Sequence, residues 1–137
     1  MKKDIPFLPV EGVQIAVVRK INEANEAEWN VVLLNKNEVP ITHVFVTSKG
    51  YSNSENGGGR EQKTSSLRHF FADVGAGEFK VVEPIMPDVF HLNNEFWVSY
   101  FIGNQIFDKK FIFVPDSIVE ENLMEIPDLG LSGVLHQ

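Results

Sequence analysis

Apolar and polar residues alternate with period two along most of the chain, and Gly, Pro, Asn and Asp separate the runs. This is the pattern of strands that bury one face. Gly12 to Lys20 sets Val13, Ile15 and Val17 on one side. Trp29 to Leu34 sets Trp29, Val31 and Leu33 against Val32 and Leu34, and Asn35-Lys36-Asn37 supplies the turn that follows. Ile41 to Ser48 carries Val44 and Val46 opposite His43 and Phe45. Gly50 to Lys63 is a polar loop holding Gly57-Gly58-Gly59, too rich in glycine for the interior of an element. Phe79 to Glu83 is a further short strand, reached through Val74-Gly75-Ala76-Gly77 and closed by Pro84 and Pro87, which cannot donate to a central ladder.

The strongest local signal spans Glu95 to Val114. Phe96 to Ile102 and Gln105 to Val114 flank Gly103-Asn104, a pair suited to the positive φ of a two-residue hairpin turn. That turn fixes the register: Phe96 faces Phe111, Val98 faces Lys109 and Tyr100 faces Phe107, while Trp97 with Lys110 and Phe101 with Ile106 occupy the other side. Both sides carry large apolar groups. The pattern therefore predicts a hairpin in mid-sheet, with one face in the core and the other partly covered.

Residues 65–74 fit two templates: Leu67, Phe70, Phe71 and Val74 have helical spacing, whereas Leu67, His69 and Phe71 alternate. A strand is favoured, because Asp73 to Gly77 reads as a tight connection into the next run. Near the C-terminus, Ser117 with Glu120 forms a capping-box pattern, and Ile118, Val119, Leu123 and Ile126 give a short helix one apolar face before Pro127. The expectation for about 116–137 is thus a helix followed by an extended tail. Seven strands without βαβ alternation predict an all-β, immunoglobulin-like Greek-key sandwich forming one domain over 1–137.

Composition narrows the function. Of 137 residues, 43% are apolar, 11 are Phe and none is Cys, so disulfides, thiolate metal sites and a cysteine nucleophile are excluded. A net charge of −7 argues against a nucleic-acid partner, which requires clustered cations. Pro6, Pro9 and Glu11 interrupt the first apolar stretch, and no run reaches the ~20 apolar residues of a membrane span. The expectation is a cytoplasmic chain with no membrane partner.

The strings Trp29-Asn30-Val31-Val32-Leu33-Leu34-Asn35, Gly75-Ala76-Gly77-Glu78, Asn93-Asn94-Glu95-Phe96-Trp97-Val98 and Asp108-Lys109-Lys110-Phe111-Ile112-Phe113 resemble those of small bacterial proteins of about this length. Residues 29 to 113 also resemble immunoglobulin-like sandwich domains of the cell-adhesion-related type. The resemblance implies a sandwich fold and a non-enzymatic role, and it carries no functional residues over.

Candidate chemistry is sparse. Gly57 to Thr64 aligns with a phosphate-binding loop except that Gln62 replaces its second glycine. Gly57, Gly58, Gly59, Lys63 and Thr64 are therefore the candidate ligand loop of an alternative reading, a small-ligand or nucleotide-binding domain. His43, His69, His91 and His136 show no metal-ligand spacing, and the hydroxyls of Thr64, Ser65 and Ser66 lie in no nucleophile elbow. No catalytic residue, metal or cofactor is expected. The apolar side of the hairpin is more informative: Trp97, Phe101, Ile106, Ile112 and Val114 exceed what a water-facing sheet carries. Either the C-terminal helix and tail cover this face, or it binds a protein partner or a second copy. The function expected is a non-catalytic interaction, assembly or scaffold module.

Overall fold

A computed structural model describes residues 10–53 and 62–136. Every strand pair is antiparallel, and the strands form two sheets. In the first, β1 (Val13–Ile21) and β2 (Ala27–Asn35) make a hairpin flanked by β5 (Phe79–Pro84) and by β9 (Leu131–His136), with β8 (Met124–Ile126) outermost. In the second, β3 (Ile41–Tyr51) lies between β4 (Leu67–Val74) and β6 (Asn93–Ile102), and β7 (Gln105–Phe113) is the far edge. Among the described residues, nine strands thus stand where about seven were expected. Residues 67–74 are a strand, as alternation favoured.

The hairpin of β6 and β7 has the register that its two-residue turn dictates, Phe96 to Phe111 and Tyr100 to Phe107 inward, Trp97 to Lys110 and Phe101 to Ile106 outward. Only β6 is interior, however. Between the sheets, Ile15, Val17, Val31 and Leu33 pack on Val44, Val46, Phe96, Val98, Tyr100 and Phe111. In β3 a bulge opposite β6 places His43 in the left-handed region at φ 49°. The extra residue lets both Ile41 and Val44 point into the core although three positions separate them.

The C-terminal region departs from expectation. Ser117 to Ile126 contains one 3-10 turn, Glu120–Asn122, followed by β8, and no helix. The groups that suggested a capping box are engaged elsewhere: Ser117 Oγ donates to Val114 O at 2.6 Å, and Glu120 pairs with Arg19 at 2.8 Å. The apolar residues separate too, with Ile118 in the inter-sheet core and Ile126 in a second cluster. A helix cannot serve two cores on opposite sides of a sheet, and nucleating so short a one is unfavourable in any case. Ladder bonds to β9 replace it. The second cluster is the outer face of the first sheet, where Ala16, Val18, Val32 and Leu34 pack with Ile126, Leu129, Leu131 and Leu135 of the hairpin that continues the sheet beyond β1. β1 and β2 are therefore buried on both faces, which explains the unbroken Ala16-Val17-Val18 and Val31 to Leu34 runs.

Tyr100 is buried against Phe107, the two rings stacked 5.1 Å apart, and its hydroxyl has no hydrogen-bond partner among the described residues. Burial pushes the phenol up to about 12. Tyr100→Phe removes an unsatisfied group and should raise the unfolding free energy by about 1 kcal/mol, read from urea denaturation. The unfolded phenol ionises near 10, so from there to about 12 the unfolded chain binds fewer protons than the folded one. Wild-type stability falls as pH rises through that window, and Tyr100→Phe should flatten the slope.

Candidate functional site

The outer face of the second sheet is built by strand alternation. Pairing sets Phe70, Phe45, Ser99 and Asp108 in one row across the four strands, and Arg68, Thr47, Trp97 and Lys110 in the next. Phe101 and Ile106 continue the face on one side, and Glu95 and Ile112 on the other. Phe45 is 51% exposed, Phe70 53% and Trp97 45%, although large apolar side chains on strands usually find cover. Val114, one residue past β7, is exposed as well.

These side chains hold one another in place. Phe45 and Phe70 meet with ring centroids 4.9 Å apart, and the His43 ring lies edge-on to both Phe70 and Phe101. Trp97 Nε1 donates to Asp108 Oδ1, and the Lys110 ammonium stands 4.7 Å above the indole. At the margin, Glu95 is buried beside the Lys49 ammonium at 3.7 Å and accepts from the Tyr51 hydroxyl at 3.2 Å. Burial raises the Tyr51 phenol above its ordinary range, with the charge of Glu95 and that hydrogen bond adding to the shift. A shallow depression of about 330 Å³ runs between Phe45 and Trp97, with Thr47, Ser99 and Asp108 along it. Fixed rings with a rim of both charges are the composition of a contact surface.

Of the five residues singled out from sequence, Trp97, Phe101, Ile106 and Ile112 belong to one sheet surface, and Val114 is exposed just past the end of β7. The C-terminal segment does not cover it, because β8 and β9 join the other sheet. Sequence reasoning missed Phe45 and Phe70. The outward direction of Phe45 was legible from alternation with Val44 and Val46, but pairing of β3 with β4 and β6 was not.

A second concave region lies where β4 and β5 approach at one side of the sandwich. Glu83 Oε1 accepts from Ser48 Oγ at 2.8 Å and contacts His69 Nε2 at 2.7 Å, joining the two sheets. The carboxylate is central in this trio. A serine nucleophile needs the imidazole in the middle, so the arrangement fixes Glu83 and does not activate Ser48. Next to it opens a cleft of about 340 Å³, walled by Leu67, Ile85, Val89 and Phe96.

Of the candidate ligand loop, Gly57, Gly58 and Gly59 lie outside the described residues. Its end is described: Thr64 N donates to Gly50 O at 2.9 Å, and Thr64 Oγ1 accepts from Gly50 N at 2.7 Å, while Lys63 bridges to Tyr51. A strand, β4, follows Thr64, where a phosphate-binding loop would open a helix. Among the described residues, no three His, Asp or Glu side chains group as a metal site, and no helix is long and apolar enough to cross a membrane. Comparison with protein-family models, curated proteins and solved structures finds no match to this chain.

Proposed function

We propose that the chain is a non-catalytic interaction module that binds a protein through the outer face of its four-stranded sheet. The observation that carries this reading is the exposure of Phe70, Phe45 and Trp97, in two neighbouring rows of a surface extended by Phe101, Ile106 and Ile112. Exposed contiguous apolar area of this kind marks contact sites, and Trp with flanking cations is the composition of energetic hot spots. The fold assignment that goes with it is the immunoglobulin-like Greek key. Strands β4-β3-β6-β7 and β5-β2-β1 follow the neighbour order of that sandwich, with the β8–β9 hairpin added beside β1. Such a scaffold holds a sheet face rigid, which lowers the entropy cost of binding.

The test compares wild type with Trp97→Glu, by light scattering over a concentration series and by capture from native extract. The substitution places a carboxylate beside Asp108 at the centre of the face. Self-association, or retention of a specific protein, should weaken by about 2 kcal/mol or more, the scale of a hot-spot residue. Thermal unfolding should change little, since Trp97 is half exposed. A wild type that stays monomeric and retains nothing beyond what Trp97→Glu retains would overturn the reading.

A further inference from the structure

We infer that the cleft between β4 and β5 is a binding site for a primary ammonium group carried on an apolar stem, which goes beyond the sheet-face reading and uses other residues. Glu83 is held from behind, and both of its partners, Ser48 and His69, engage Oε1. Oε2 accepts from no described residue, and the Glu83 side chain is only 12% exposed. A carboxylate with one oxygen fixed, in the lining of an apolar-walled cleft, is preorganised for a donor that brings positive charge.

The surrounding charge selects for that class. Asp88 adds a second carboxylate to the cleft lining. Lys49 lines the cleft as well, but its ammonium lies 3.7 Å from Glu95 on the outer face of the sheet. Thr64 and Ser65 line the rim; Thr64 Oγ1 accepts from Gly50 N and donates to Ser65 O, which leaves the Ser65 hydroxyl to take a remaining N–H of an ammonium. Leu67, Ile85, Met86, Val89 and Phe96 give the lining an apolar part that suits a methylene stem, and the Asn94 amide N–H groups are spent on Val89 O and Leu92 O. An anion would meet two carboxylates, and a neutral alcohol would forgo the charge-assisted bond.

The same chemistry has two sources, a free alkylamine and a lysine side chain presented by another protein. The experiment titrates the full chain with n-hexylammonium, n-hexanol and Nα-acetyl-lysine methylamide, followed by backbone amide NMR shifts around Ser48 and Glu83. Hexylammonium should saturate and bind at least tenfold tighter than hexanol. Tighter binding of the lysine derivative than of hexylammonium assigns the source to a protein lysine, and the reverse to a free amine. Glu83→Gln should lower ammonium affinity about tenfold and leave hexanol unchanged. Should that variant fail to fold, Ser65→Lys puts a competing ammonium on the exposed rim and should weaken the probe by a similar factor. Trp97→Glu serves as the control that leaves this site intact. Equal affinity for hexanol and hexylammonium, unchanged binding in a folded Glu83→Gln or Ser65→Lys, or absence of saturation at millimolar probe would overturn the assignment.

Discussion

Asn35→Asp is expected to lower the unfolding free energy by about 3–5 kcal/mol, the cost of an uncompensated buried charge. Asn35 is 0% exposed at the end of β2. Its amide nitrogen lies 3.0 Å from Val39 O and 3.1 Å from both Val74 O and Gly75 O, so two hydrogens serve three carbonyls and one of them is shared. Its oxygen accepts from Asn37 N and Nδ2, and its backbone exchanges bonds with Glu78 O and Gly77 N. One side chain therefore fastens the β2–β3 connection to the β4–β5 turn. Aspartate keeps the shape but has no N–H, and it would set an anion among three carbonyl oxygens. Asn35→Ala removes the same donors without the charge and should cost somewhat less, about 2–4 kcal/mol. Urea titration at pH 7 and at pH 4 separates the two effects, because acid should relieve the aspartate variant by protonating it and leave the alanine variant where it was. An aspartate variant no less stable than the alanine one at pH 7 would show that the network does not act as a unit.

The same network shows what the sequence reading could and could not reach. The strings ending in Asn35 and running Gly75 to Glu78 stood out separately, and the structure joins them through three hydrogen bonds. Nothing local announces such a contact across 40 positions. The β6–β7 hairpin was fully legible, since a two-residue turn fixes every pair and alternation then assigns both faces. The direction of Phe45 was legible for the same reason. Which sheet each strand joins was not, because alternation encodes a buried face and not a neighbour. Hence the outer surface was recognised by five residues of one hairpin, without the contribution of β3 and β4. The cleft was out of reach altogether, as Ser48 and Glu83 meet only after β3 and β5 have entered different sheets. At the C-terminus, the spacing of Ile118, Leu123 and Ile126 suggested one helical face because a periodic pattern cannot reveal that its residues serve two cores.

The outer faces of the two sheets are thus treated oppositely. Both carry apolar residues, yet on one they pack with side chains of the C-terminal hairpin and are buried, whereas the other presents its rings. Detaching that hairpin from β1 should expose apolar residues of the first face, and Gly133 is the position that permits it to dock. It pairs with Val18 on one side and Met124 on the other. A Cβ there would stand 2.8 Å from Val17 O and 3.0 Å from both Ile126 Cδ1 and Val18 Cγ1. The side-chain carbons can rotate, but Val17 O belongs to the central ladder and cannot retreat without breaking it.

Gly133→Val is therefore expected to destabilise by about 3 kcal/mol, at the upper end of what overpacking costs. The strain should be relieved by release of β8 and β9, which uncovers Ala16, Val18, Val32 and Leu34. Binding of an apolar dye and loss of amide protection in β9 ahead of β6 would report that release. Gly130→Ala, in the same hairpin, gives the reference: open space surrounds its Cβ, and only its φ of +65° opposes a side chain. It should cost about 1 kcal/mol and leave β9 paired with β1. If Gly133→Val proved no more destabilising than Gly130→Ala and bound no more dye, close approach at Gly133 would not be what seals this face.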